Sequence, residues 1–253
     1  MKLEIRIFKD LERLSKDAAN LFLEKSSEAI AERGRFLVAL NGGSTPARLF
    51  SMLASDYKDR VDWSHIHVFW GDERCVPPDN PGSCYGQAWE LFLGKVSIPA
   101  SNIHRVKGEL DPAQASKEYS DILREFASPP LEFPRFDLVY LGMGEDGHTA
   151  SLFPGSPMDV TDPTVAVTAQ YQDRPANRVS LTPVVFNNAR TIAFMATGEK
   201  KAITLTEVLG DGFDPEKYPA QRINPKNGEL IWLVDEEAAS QLPRELKVRF
   251  CEG

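Results

Sequence analysis

Short apolar runs alternate with amphipathic stretches along most of this chain. Leu3 to Phe8 alternates apolar and charged side chains, the period of a half-buried strand. After Asp10, residues Leu11, Leu14, Ala18, Leu21 and Phe22 share one helical face, which stops at Gly34. Phe36 to Leu40 reads as a buried strand, and Pro46 is expected to open the next helix, PARLFSMLA, at its first position. Ile66 to Trp70 is the next strand; GDER and a loop rich in Pro, Gly and Asn follow it. The pattern then predicts a helix through Trp89 to Leu93, a short strand at Ile103 to Val106, a helix from Asp111 to Phe126 and the strand FDLVYLG. Further strands are expected at Thr164 to Thr168, Arg178 to Leu181, Thr191 to Ala196 and Leu230 to Val234, with helices at Glu199 to Leu209 and Glu236 to Gln241. Gly210 to Gly228 reads as a long loop. Strands separated by helices imply βαβ units and a mainly parallel sheet with right-handed crossovers.

Composition narrows the class. The 253 residues are 42% hydrophobic and 26% charged, ordinary for a globular α/β chain with a sizeable core. A single α/β domain over 1–253, with a small additional lobe, is the expectation. The net charge of -8 gives no global attraction for nucleic acid or an anionic membrane, so an anionic ligand must meet a local cationic cluster. Cys75, Cys84 and Cys251 cannot all pair within the chain, and the start MKLEIRIFKD lacks the apolar core of a signal peptide. No apolar run approaches the ~20 residues of a membrane span. A cytoplasmic location is expected.

The most informative chemistry lies at LGMGEDGHTASLFP, Leu141 to Pro154, directly after FDLVY. It puts a carboxylate and an imidazole at a strand's carboxyl end, where open α/β sheets collect ligands. An imidazole titrates near neutrality and can take a proton in one step and return it in another, and Asp146 is near enough to orient His148. Upstream, NGGSTP (Asn41 to Pro46) sits between a strand and a helix. There Gly42 and Gly43 permit close approach, and the Ser44 and Thr45 hydroxyls join backbone N–H groups in an anion site. It lacks the GK[ST] ending of a nucleotide P-loop, so a single phosphoryl group fits better.

Arg178 in RVSLT and Lys201 in TGEKKA, with Lys200 as its rival, stand at strand ends as candidate anion ligands, and Arg74 in GDER is a third. Other groups read as structural. His65 and His67 share one strand face without enough further ligands for zinc. No G-x-S-x-G elbow makes Ser44 or Ser151 a nucleophile. Cys75 reads as a half-buried small residue, and Trp63, Phe69 and Trp70 as core.

In order and spacing, NGGSTP, GDER, LGMGEDGHTASLFP, RVSLT and TGEKKA closely resemble the 6-phosphogluconolactonases. Their relatives, the glucosamine-6-phosphate deaminases, share the scaffold, the GST cradle, a DE pair and a DGH motif. The resemblance implies a three-layer, Rossmann-like α/β fold of the glucosamine-6-phosphate deaminase type, its sheet sandwiched by helices and its site at the strand carboxyl ends. It also implies hydrolysis of 6-phospho-D-glucono-1,5-lactone without a cofactor or metal. His148 would be the base, Asp146 its orienter, and Arg74 or backbone N–H groups the donors to the oxyanion. Gly42, Gly43, Ser44, Thr45, Arg178 and Lys201 would hold the phosphate. Asp72 and Glu73 are candidates for contact with sugar hydroxyls. The partner is then a small phosphosugar lactone, with no nucleic acid or membrane, and the chain a monomer or weak homo-oligomer. One alternative is a glucosamine-6-phosphate deaminase or isomerase, in which Asp72 would shuttle a proton. Against it, the deaminase pattern has an aromatic at the place of Arg74 and an AFNEP-like string at the place of SLFP. The other alternative is a non-catalytic sugar-phosphate sensor, for which no DNA-binding segment is in view.

Overall fold

The computed structural model describes residues 2–246, so Cys251 lies outside the described residues. Its elements run β1 (Lys2–Phe8), α1 (Leu11–Arg33), β2 (Phe36–Leu40), α2 (Ser44–Ala54), β3 (Ile66–Trp70), β4 (Asp72–Arg74), α3 (Cys84–Leu91) and α4 (Pro112–Glu125). They continue with β5 (Leu138–Gly142), β6 (Thr164–Thr168), β7 (Asn177–Leu181), α5 (Pro183–Phe186), β8 (Thr191–Ala196), α6 (Ala202–Leu209) and β9 (Glu229–Asp235). Six strands form one parallel sheet in the order β1-β9-β8-β5-β2-β3.

Because neighbouring side chains on a strand point to opposite faces, each strand feeds two cores. Val38, Leu40, Val68, Trp70, Leu138, Tyr140, Ala193 and Met195 pack with Leu14, Ala18 and Phe22 of α1, Leu49 of α2 and Ala88 of α3. The intervening Leu37, Ala39, Phe69, Val139, Leu141, Ile192 and Phe194 pack with Tyr119 of α4, Phe186 of α5 and Leu205 of α6. The sheet is thus covered on both sides, which is why its central strands read as continuous apolar runs. The long α1 has the ends its sequence announces: the Asp10 carboxylate accepts the Arg13 N–H at 2.9 Å, and Gly34 closes the helix at φ 74°.

A second, antiparallel sheet of order β4-β7-β6 is the small lobe. A single residue, Gly71, separates β3 from β4. Its N–H donates to Leu40 C=O at 2.8 Å and its C=O accepts Leu181 N–H at 2.8 Å, tying the two sheets together. A Cβ here would lie 2.2 Å from Asn41 Oδ1, so the junction requires glycine.

Several boundaries differ from expectation. Asp72–Arg74 of GDER, given no element by the sequence pattern, form a strand because β7 supplies an antiparallel partner. α2 starts at Ser44, which makes Pro46 its third residue; an N–H there has no helical acceptor, so proline costs nothing. α3 begins at Cys84, five residues before Trp89, because the Ser83 hydroxyl caps it by accepting the Gly86 N–H at 3.0 Å. Ile103 makes one isolated bridge to Val68 in place of a strand at Ile103 to Val106. Residues 236–241 form successive turns instead of a helix. The Asp235 carboxylate takes both the Ala238 N–H at 2.8 Å and the Gly198 N–H at 3.0 Å, which bends the chain toward the β8 loop. The loop Gly210 to Gly228 holds a short 3-10 turn at Pro219–Arg222, whose Arg222 Nε donates to Pro215 C=O at 2.7 Å.

Candidate active site

β5 ends in the loop that carries the imidazole. Gly144 N–H donates to His148 C=O at 2.8 Å and Gly147 turns the chain at φ 82°, so Asp146 and His148 face one another. His148 Nδ1 lies 2.6 Å from Asp146 Oδ1, and the His148 backbone N–H donates to the same oxygen at 3.2 Å. Burial would raise the Asp146 carboxyl, but hydrogen bonding to the His148 ring and the ring's charge hold it below its ordinary value. An ionised carboxylate only accepts, so Nδ1 carries a hydrogen, and in the neutral form of the ring the lone pair falls on Nε2. Phe153 and Tyr171 pack on the ring with centroids 4.5 Å away. Among the described residues no protein atom hydrogen-bonds Nε2, and His148 lines a cleft of about 350 Å³.

The walls of this cleft come from the carboxyl ends of β8, β5 and β2 with the loops after them, from β4 just beyond β3, and from β7 with the β6–β7 connection. It is lined by Gly42, Gly43, Ser44, Thr45, Asp72, Arg74, Arg178 and Lys201 together with His148, and Asp146 enters through the imidazole. All the residues singled out for the site by sequence, Glu73 apart, therefore meet in one place.

Glu73 turns away. It is 2% exposed, and its carboxylate accepts Arg74 N–H (2.8 Å), Ser83 Oγ–H (3.1 Å), Cys84 N–H (2.7 Å) and Tyr85 N–H (2.7 Å). It caps α3 and has no lone pair left for a sugar hydroxyl. Asp72, by contrast, borders the cleft, with Oδ2 fixed by the Ser151 hydroxyl at 2.8 Å.

The NGGSTP loop is narrower as an anion site than its glycines suggested. Gly43 N–H donates to Gln87 Oε1 at 2.9 Å, and Pro46 has no N–H, so the open donors at the head of α2 are Ser44 and Thr45. In the same cleft, Arg178 is 2% exposed; among the described residues it makes no ion pair and its Nε and Nη2 have no partner, and its guanidinium lies 5.3 Å from the Phe153 ring. Burial lowers its pKa, opposed by the Asp72 charge. Such a cation is held ready for an anion. Arg74 Nη1 donates to Gly82 C=O at 2.7 Å, which leaves Nε buried and unpartnered. Lys201 is half-buried, its ammonium pKa lowered by burial against the pull of Glu145 and Asp146, whereas Lys200 is exposed.

Tyr171, Arg174 and Thr197 also line the cleft and escaped the sequence reading. Tyr171 and Arg174 lie in the β6–β7 connection, and only the antiparallel pairing of those strands brings that hairpin over His148. Thr197 Oγ1 sits 3.1 Å from Thr45 Oγ1, a pairing set by strand order alone.

The remaining imidazoles stay structural. His65 lies in a 3-10 turn before β3, 2.9 Å from Asp62, and His67 Nδ1 is 3.1 Å from His104 Nε2. Among the described residues no group of three or more His, Cys, Asp or Glu is arranged to hold a metal ion, and no helix is long and apolar enough to cross a membrane. Burial pushes the Cys75 thiol up to about 11, far from a reactive thiolate.

Comparison with known proteins agrees with this geometry. Residues 9–232 match the family model described as glucosamine-6-phosphate isomerases/6-phosphogluconolactonase. A 6-phosphogluconolactonase of Nostoc sp. is 39% identical, covering 96% of this chain and 99% of its own length. One from Synechocystis sp. is 40% identical over 85% of this chain and 88% of its own length. The crystal structure of a Thermotoga maritima 6-phosphogluconolactonase superposes with a TM-score of 0.81 at 28% identity, covering 92% of this chain and all of that one. A match over most of its length and relatives at about 40% identity show that the chain belongs to the glucosamine-6-phosphate isomerase/6-phosphogluconolactonase family.

Proposed function

We propose that this chain hydrolyses 6-phospho-D-glucono-1,5-lactone to 6-phospho-D-gluconate, as its named relatives do. The observation that carries the reading is the open Nε2 of His148, backed by Asp146, in the same cleft as the Ser44/Thr45 donors and the unpaired Arg178.

A δ-lactone is an activated ester, so a water deprotonated in place suffices as nucleophile. His148 Nε2 takes the proton as the water oxygen bonds to C1, and the carbonyl becomes an oxyanion facing Arg74. The C1–O5 bond then breaks, and the imidazolium returns the proton to O5. Asp146 holds the ring and offsets its transient charge. Acid–base help of this kind supplies ~10² to 10⁴ in rate, and oriented donors at the oxyanion a comparable factor. The phosphate, anchored by Ser44, Thr45, Arg178 and Lys201, brings C1 to the imidazole and overcomes the repulsion of a chain with net charge -8. Asp72 would meet sugar hydroxyls. A monomer or weak homo-oligomer acting in the cytoplasm on this small lactone completes the proposal.

The test generates the lactone in situ from glucose-6-phosphate and follows its decay by NMR with and without the protein. Faster decay is expected. Decay at the uncatalysed rate beside ammonia release from glucosamine-6-phosphate would move the chain to the deaminase side of the family. Binding without turnover would make it a sensor.

A further inference from the structure

Helix α3 braces the anion loop from outside the cleft. Gln87 meets both polar groups of Gly43: its Oε1 accepts the Gly43 N–H at 2.9 Å, and its Nε2 donates to the Gly43 C=O at 2.9 Å. A primary amide carries the donor and the acceptor needed to pair with the N–H and the C=O of one residue in this way. One turn earlier on the same helix, Cys84 closes against the neighbouring glycine, where a Cβ on Gly42 would lie 2.6 Å from Sγ. Gly43 itself sits at φ 129°, ψ -177°, a conformation open to glycine and costly to hold, and α2 has no side-chain cap of its own. Left alone, this residue would sample many states, and the N–H groups of Ser44 and Thr45 that follow it would swing with it.

The start of α3, one turn before Gln87, is fixed just as firmly. Its first N–H groups are held by the Glu73 carboxylate, whose neighbours Asp72 and Arg74 line the opposite wall of the cleft. The helix therefore spans from the strand that faces the lactone ring to the loop that faces the phosphate.

We infer that Gln87 is a positioning residue for the substrate phosphate: its paired hydrogen bonds to Gly43 hold the anion loop in its binding shape and at a set distance from Asp72 and Arg74. This rests on the reading of Ser44 and Thr45 as phosphate donors. Gln87 touches no substrate, so its loss weakens the grip on the phosphate and leaves the chemistry at C1 alone.

The experiment compares the parent protein with Gln87→Met and Gln87→Glu. Steady-state hydrolysis is measured on 6-phosphoglucono-1,5-lactone and on unphosphorylated glucono-1,5-lactone, and inorganic phosphate is titrated calorimetrically. Gln87→Met, of similar volume, is expected to raise KM for the phosphorylated lactone about tenfold, the worth of two ordinary hydrogen bonds, with kcat within about twofold. Phosphate affinity should fall by the same factor, and hydrolysis of the unphosphorylated lactone should hold. Gln87→Glu keeps the acceptor but sets a carboxylate against the Gly43 C=O and beside the loop, so its KM should rise further. A purely architectural role would deplete folded enzyme, lowering apparent kcat and leaving KM unmoved; that result, or parent-like constants in both variants, overturns the inference. A parent protein that neither speeds lactone decay nor binds phosphate would instead overturn the functional reading beneath it.

Discussion

Gly144 lies against the His148–Asp146 pair so closely that a Cβ on it would stand 2.1 Å from His148 Nδ1 and 2.5 Å from Asp146 Oδ1. Real Cβ atoms do not approach that near, so the hydrogen bond between the two side chains exists only because residue 144 has none. Gly144→Ala should push the imidazole off its carboxylate while the buried strand behind it stays intact. We expect kcat/KM to fall about a hundredfold, near the lower end of general acid–base contributions. Circular dichroism should match the parent. Kinetics within a few-fold of the parent would mean that the pair as drawn is not the working arrangement.

The two members of the pair separate by substitution. His148→Ala removes the proposed base and should lower kcat by ~10² to 10⁴ with KM little changed. Asp146→Asn preserves shape but removes the charge that selects the tautomer and stabilises the imidazolium, so it too should act on kcat. Single-turnover measurements decide the matter: a change confined to KM in either variant would assign these residues to binding.

Lys201 and Lys200, adjacent in sequence, both line the cleft but differ in burial. Lys201 is half-buried toward Glu145 and Asp146 and Lys200 is exposed. Lys201→Ala should raise KM for the phosphorylated lactone by about tenfold or more, the worth of a charge-assisted hydrogen bond, and Lys200→Ala should leave it near the parent value. The reverse ranking would return the phosphate contact to Lys200.

Why these positions were legible is physical. The central strands are buried on both faces and announce themselves as apolar runs, and their carboxyl ends are where ligands gather in such sheets. Asn41 to Thr45, Asp146 and His148 could thus be placed from local pattern, whereas the choice between Lys200 and Lys201 could not. Glu73 could not, because a carboxylate bound for sugar and one bound for helix N–H groups look alike until α3 is seen to start at Cys84. Tyr171 and Arg174 were hidden for another reason. Their hairpin reaches the cleft because β7 also pairs with β4, about a hundred residues earlier in the chain. The turns after Asp235 show a third kind of limit, where one side chain competes for the N–H groups that a helix would need.

Glu73 gives a prediction of its own. With four donors on a carboxylate that is 2% exposed, Glu73→Gln would turn an NH₂ toward N–H groups. A loss of about 1 to 3 kcal/mol in unfolding free energy follows from leaving buried donors unmatched. Urea denaturation should report it, and the same stability in both proteins would contradict the capping role.

The last prediction concerns acid. His67 Nδ1 and His104 Nε2 lie 3.1 Å apart with their rings stacked, packed by Phe69 and Phe126, and Arg35 sits over the Phe126 ring. Burial, and then the neighbouring His67, lowers His104 from the ordinary 6.5 to about 4; burial and then Arg35 lower His67. Between those two values of pH the unfolded chain binds a proton at His104 that the folded chain refuses. Stability is therefore full above about pH 6.5 and declines as pH falls toward 4, the direction opposite to that of an imidazole paired with a carboxylate. Because His104 is only partly buried, solvent screening reduces the effect, and about 1 kcal/mol should be lost between roughly pH 7 and 5. Carboxylates also titrate near the acid end, so the decisive measurement is a difference. His104→Gln keeps a polar partner for His67 and cannot take up the proton, and its unfolding free energy should fall less steeply than the parent's over that interval. Parallel curves for the two proteins would show that the imidazole pair takes up no proton there.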